Sequence, residues 1–154
     1  MSGVITPLAS ASVAELRAAF RQGKAELMEH FAASRPTAPA AARLVRALAR
    51  HVDRTLNALW ERSGMPSGAA LLAVGGYGRA ELFPHSDVDV LVLLPPAANL
   101  TLARRRTGSM APATMKTAIE GFITDCWDIG LEIGSSVRTV DECIAEGQRD
   151  VTVQ

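Results

Sequence analysis

The sequence carries no excess of either charge: sixteen Lys and Arg stand against sixteen Asp and Glu in 154 residues. A protein that grips a nucleic-acid backbone needs a basic surplus, so nucleic acid is not an expected partner. The only tight basic cluster is Arg104-Arg105-Arg106, which reads as a solvated loop or as a phosphate contact. Long hydrophobic runs are also missing. The longest, Val88 to Leu94, is broken by Asp89 and is far too short to cross a bilayer, so no membrane partner is expected. The start, Met1 to Ser12, lacks the basic residues and apolar stretch of a secretory leader. A cytoplasmic location is the expectation. Cysteine is scarce, with Cys126 and Cys143 only. Their separation fits no metal motif, and both read as reduced core thiols. There is no internal repeat and no low-complexity segment.

What remains is ordinary globular material, 48% hydrophobic and 21% charged, enough for one domain with a core. Ser12 and Glu15 have the spacing of a capping box. Val13, Leu16, Phe20, Leu27 and Phe31 follow at helical intervals. Ser34 to Pro39 reads as a turn. A second helix is expected over 40–62, with Leu44, Leu48, Val52, Leu56 and Leu59 as its stripe and Trp60 widening it. The two helices should pair as a hairpin. After a loop with Gly64, Pro66 and Gly68, Leu71 to Val74 is a short apolar run consistent with a buried strand. Asp87 to Leu94 reads as a second strand, stopped by Pro95-Pro96. Residues 97–112 read as a loop. Met115, Ile119, Phe122, Ile123 and Cys126 mark a third helix ending near Gly130. A strand over 131–140 and a short helix over 141–149 complete the pattern, and Val151 opens another apolar stretch.

The chemistry concentrates in two places. Gly75-Gly76 ends the first strand. Such a pair lets backbone N–H groups approach a phosphate, although it also suits a plain strand-ending turn. In Asp87-Val88-Asp89-Val90 the period of two puts both carboxylates on one face, roughly 7 Å apart. Two unneutralised carboxylates repel. A hard cation such as Mg²⁺, which takes one or two carboxylates plus substrate phosphates, would reconcile them. The bland alternative is a pair of surface acids on an edge strand. Gly75-Gly76-Tyr77-Gly78 does not match the dinucleotide fingerprint, and no Gly-Lys-Ser/Thr follows as a Walker loop would require.

The stretch from Leu72 to Leu91, with Gly75-Gly76-Tyr77-Gly78-Arg79-Ala80-Glu81-Leu82-Phe83-Pro84-His85-Ser86-Asp87-Val88-Asp89, resembles the polymerase-beta-like nucleotidyltransferase superfamily. Within it, the stretch is similar to the bacterial PII uridylyltransferase / uridylyl-removing family. Trp127 to Cys143 and Asp150 to Gln154 resemble the same family. The resemblance implies an α+β fold of the polymerase-beta-like nucleotidyltransferase type, a small mixed sheet with helices and an N-terminal helical hairpin. It implies a hairpin over 1–66 and a nucleotidyltransferase core over 67–154, incomplete at its C-terminus. The family continues into an HD phosphohydrolase domain and two ACT domains that are absent here, so the chain is expected to be a fragment without the uridylyl-removing site.

For the reaction, the resemblance implies two Mg²⁺ ions on Asp87 and Asp89, with UTP as donor and a tyrosine of the PII signal protein as acceptor. Gly75 and Gly76 would cradle the triphosphate. Arg79 would neutralise phosphate charge, or else pair with Glu81. Ser86 would donate to a phosphate, or else cap its turn. His85 reads as a turn residue. A third carboxylate is expected on a neighbouring strand, with Glu132 favoured, Asp150 the other candidate and Asp128 better suited to a helix end. Adenylyl transfer within the same superfamily, or a catalytically inactive remnant that only binds nucleotide or a partner, are the competing readings.

Overall fold

The computed structural model describes residues 10–65, 67–95 and 112–149. Helix α1 (Val13–Ala33) opens on the expected capping box. The Ser12 hydroxyl accepts from Glu15 N at 3.2 Å, and the Glu15 carboxylate accepts from Ser12 N at 2.7 Å. These bonds, the one to the backbone N–H foremost, hold the Glu15 carboxyl below its ordinary range. Helix α2 (Ala38–Arg62) starts two residues before the expected position. Thr37 caps it, and Pro39 lies inside the first turn, where a missing N–H leaves no helical bond unmade.

The hairpin buries most of the residues its spacing indicated, while Val13, Leu27, Phe31 and Trp60 are partly buried. Leu16 and Phe20 from α1 meet Leu44, Leu48, Val52, Leu56 and Leu59 from α2. His51 stacks on Phe20, with ring centroids 5.3 Å apart, and its Nε2 lies 2.8 Å from the Phe20 carbonyl oxygen.

Three strands form a mixed sheet in the order β1-β2-β3: β1 (Ala70–Ala73), β2 (Val88–Leu94) and β3 (Ile133–Thr139). β1 runs antiparallel to β2, with Ala73 opposite Val90. β3 runs parallel to β2, with Asp89 opposite Gly134. Val88, Val90 and Val92 point into the core and are almost wholly buried. The expected buried first strand is instead half exposed, with Leu71 alone partly covered. β1 is the sheet edge and has β2 as its one neighbour among the described residues.

Helix α4 (Pro112–Asp128) covers the inward face of the sheet with Ile119, Phe122 and Cys126. Phe122 meets Trp60 of α2 edge-on at 5.3 Å. The hairpin and the sheet therefore share one hydrophobic cluster, which includes Leu59, Tyr77, Val90, Phe122 and Ile129. Polar ties join the hairpin to α4: Arg17 Nε donates to the Asp128 carbonyl at 2.6 Å, and Arg62 Nε lies 3.7 Å from Asp125 Oδ2. Burial pushes the Cys126 thiol up to about 12. Cys143 departs from the core-thiol expectation: it sits half-buried on helix α5 (Val140–Arg149). That helix is amphipathic and caps the end of β3, with Thr139 and Glu142 forming a second capping box. Residues 97–111, including the three arginines, and residues 150–154, including Asp150, lie outside the described residues.

Candidate active site

The chain leaves β1 at Val74, whose N–H donates to the Asp89 carbonyl at 3.0 Å. It then folds into a single helical turn, α3 (Gly75–Gly78). Gly75 has φ +60°, a left-handed conformation that favours glycine. It also lies against the sheet: a Cβ at this position would stand 3.0 Å from Asp89 Oδ2. The turn closes through Glu81 N donating to the Gly76 carbonyl at 3.0 Å and Ala80 N donating to the Tyr77 carbonyl at 2.9 Å. Ala80 has φ +58°, a conformation that costs a side-chain-bearing residue roughly 1–2 kcal/mol.

Tyr77 anchors this turn. Its ring is buried, and its hydroxyl donates a short hydrogen bond to Asp53 of α2. Burial, then Asp53, raise the hydroxyl well above the ordinary tyrosine range. The bond ties the glycine turn to the helical hairpin. Nothing in the sequence signals it, because its partners are 24 residues apart and belong to different elements.

Asp87 is exposed just before β2, and Asp89 is half-buried inside it. The strand begins at Val88, one residue later than expected, and the period of two still places both carboxylates on one face. Both line an open cleft of about 470 Å³, together with Gly76, Arg79, Glu81 and Ser86. Among the described residues, no cation pairs with either carboxylate. Arg79 Nε lies 3.4 Å from Glu81 Oε2, and both side chains are largely exposed. Such a surface pair is worth under about 1 kcal/mol, so Arg79 can exchange Glu81 for another anion at little cost. Ser86 N donates to the Phe83 carbonyl at 3.1 Å, which fixes the turn holding His85. Phe83 is 60% exposed on the rim of the cleft. Sequence reasoning passed over it, although an apolar residue between two charged motifs was a visible signal.

Glu132 takes a different place. Its carbonyl accepts from Val88 N at 2.9 Å, one residue before β3. The residue lines a smaller cavity of about 150 Å³ with Lys24, His51, His85 and Ser86. Phe83, His85 and Ser86 line both spaces. Asp128 ends α4, as its sequence position suggested. Among the described residues, no group of three or more His, Cys, Asp or Glu side chains is arranged to hold a metal ion. Asp87 and Asp89 are the carboxylates of the cleft without an ion pair, Glu81 being paired with Arg79.

Residues 52–128 match the family model described as nucleotidyltransferase domain. A bifunctional uridylyltransferase/uridylyl-removing enzyme of Ralstonia nicotianae is 57% identical over 110 residues, covering 71% of this chain and 11% of that protein. Proteins of the same description from Burkholderia mallei and Burkholderia pseudomallei are 49% identical over 151 residues, covering 94% of this chain and 16% of theirs. The chain thus spans between 11% and 16% of the length of these curated relatives. No solved structure matches it.

Proposed function

This chain belongs to the nucleotidyltransferase domain family, and from that premise we propose that it is the part of a uridylyltransferase that moves UMP from UTP to a tyrosine of the PII signal protein. The observation that carries the reading is the shared cleft. Asp87, Asp89, Gly76, Arg79 and Ser86, from a strand, a helical turn and the loop between them, line one open polar space. The relatives' description as uridylyltransferases supports the choice of base. The reading places the chain in the cytoplasm, and no described helix is long and apolar enough to cross a membrane.

The donor set fits Mg²⁺. Two carboxylates without a cation partner, open to solvent and beside space for phosphates, are what this ion takes when substrate oxygens complete its shell. Asp87 and Asp89 would hold two such ions. When bound, Mg²⁺ supplies charge neutralisation of the triphosphate and of the reacting oxygens. The chain's own residues do the positioning on which phosphoryl-type transfer depends. Gly76 leaves the backbone bare toward the triphosphate, whereas Gly75, expected beside it, does not line the cleft and turns its bare α-carbon to Asp89. Arg79 exchanges Glu81 for a phosphate oxygen. The Ser86 hydroxyl donates to another. Glu132, whose backbone meets Val88 where β2 and β3 begin to pair, is the proposed third carboxylate.

The test is incubation of the chain with Mg²⁺, purified PII protein and either UTP or ATP labelled at the α-phosphate. Label on PII from UTP, weak for this chain alone and removed by Tyr→Phe at the acceptor position, is expected. Label from ATP alone would replace this reading with adenylyl transfer. Nucleotide binding without label from either would leave a catalytically inactive binding module. That second reading draws on the position of Glu132 in a cavity apart from Asp87 and Asp89.

A further inference from the structure

Asp89 is pressed between two bare α-carbons. Its register partner in the parallel ladder is Gly134 of β3. A Cβ added at Gly134 would stand 2.8 Å from Asp89 Oδ1, and one added at Gly75 would stand 3.0 Å from Oδ2. Each carboxylate oxygen therefore lies against one of the two glycines. The two positions differ in why glycine is there. Gly75 has a positive φ that favours glycine by itself. Gly134 is not among the positive-φ glycines and lies inside a regular strand paired along its length. Glycine there weakens a strand, and its usual meaning is the close approach of another group. The group that approaches is the Asp89 carboxylate.

We infer that Gly134 is a positioning residue for the cation site: its missing side chain is what lets Asp89 hold its carboxylate across β3 and toward the cleft. The inference rests on the proposed role of Asp89 as a metal ligand. Its physical content is an opposition of signs. A methyl group at residue 134 meets the end of a flexible side chain, not backbone, so Asp89 can rotate away without unfolding anything. Alanine also loses less backbone entropy on folding than glycine in a compatible strand. The substitution should therefore leave the fold as stable as before, or more stable, while turning the carboxylate out of place.

The experiment uses the full 154-residue chain and three variants: Gly134→Ala, Gly134→Val and Gly121→Ala. The last is a control, since a Cβ at Gly121 meets nothing within 4 Å. Thermal unfolding is followed without ligand and then with UTP over a Mg²⁺ titration, and Mn²⁺ binding is measured by electron paramagnetic resonance. For Gly134→Ala the expected result is an unchanged or higher melting temperature without ligand. The Mg²⁺ concentration giving half of the UTP-induced shift should rise about tenfold, the scale on which outer-shell partners tune metal affinity. Gly134→Val should raise it further, and Gly121→Ala should not move it. Mn²⁺ affinity should fall in the same order. A wild-type Mg²⁺ midpoint and Mn²⁺ affinity in Gly134→Ala would overturn the positioning role while leaving Asp89 as a ligand. If the unsubstituted chain shows neither a Mg²⁺-dependent UTP shift nor Mn²⁺ binding, the metal reading of the cleft itself falls, and this inference with it.

Discussion

The helical hairpin and the segment from Gly75 to Asp89 are built on opposite terms. In the hairpin, caps, stripe and burial agree: Ser12 and Thr37 close the helix starts, and Leu48, Val52, Leu56 and Leu59 each have 4% exposure or less. In the second segment, local preferences conflict with the structure. Ala80 is left-handed, Phe83 is exposed, and two acids stand on one face with no described cation beside them. Consistency across levels marks the part of a protein that holds it together, and its local failure marks the part selected for something else. Here that something else is a polar cleft set on the edge of a well-packed core.

This contrast can be broken by substitution. The largest stability effect belongs to the hairpin. Leu59 is fully buried, and Leu59→Ala should cost about 2–5 kcal/mol in urea unfolding. A loss below ~1 kcal/mol would mean that the hairpin is not where stability lies. In the cleft the order reverses. Asp87→Asn and Asp89→Asn should each remove the Mg²⁺-dependent UTP shift of the melting temperature, yet leave stability without ligand within about 0.5 kcal/mol or slightly raised, since one of two repelling charges is gone. A normal ligand shift in both variants would remove the metal role. The smallest effect tests the joint between the regions. Tyr77→Phe deletes the hydroxyl that donates to Asp53, and should cost about 1 kcal/mol. In a double-mutant cycle with Asp53→Ala, the two losses should not add, because they share one bond. Additive losses would show that the glycine turn and the hairpin are energetically independent.

Much of the fold was legible because its signals are local. The Ser12–Glu15 capping box, the stripe of α2 and the helical spacing of Ile119, Phe122 and Cys126 depend on neighbours within a few residues, and the structure has them where the spacing put them. The boundaries that moved did so for local reasons as well: Pro39 is tolerated in a first helical turn, and β1 sits at an edge. The site was legible in part. The acids of Asp87-Val88-Asp89 share a face by strand period alone, and Gly76, Arg79 and Ser86 line the same cleft. Gly134 went unread although a glycine inside a strand is a signal. Tyr77 went unread as an anchor because its partner belongs to another helix.

The amino-acid order by itself determined the helices and their buried stripes, the pairing of two carboxylates on one face, and the glycine turn that precedes them. Each follows from backbone geometry and side-chain chemistry over a span of one or two turns. The tertiary structure alone decided that β3 lies parallel beside β2, and much of the site follows from that choice. It sets Gly134 against Asp89, and it puts Glu132 just before the neighbouring strand, at a cavity that shares His85 and Ser86 with the cleft. The reason is physical: parallel pairing joins segments more than forty residues apart, and its register is settled by which faces bury apolar area, not by any signal within either strand.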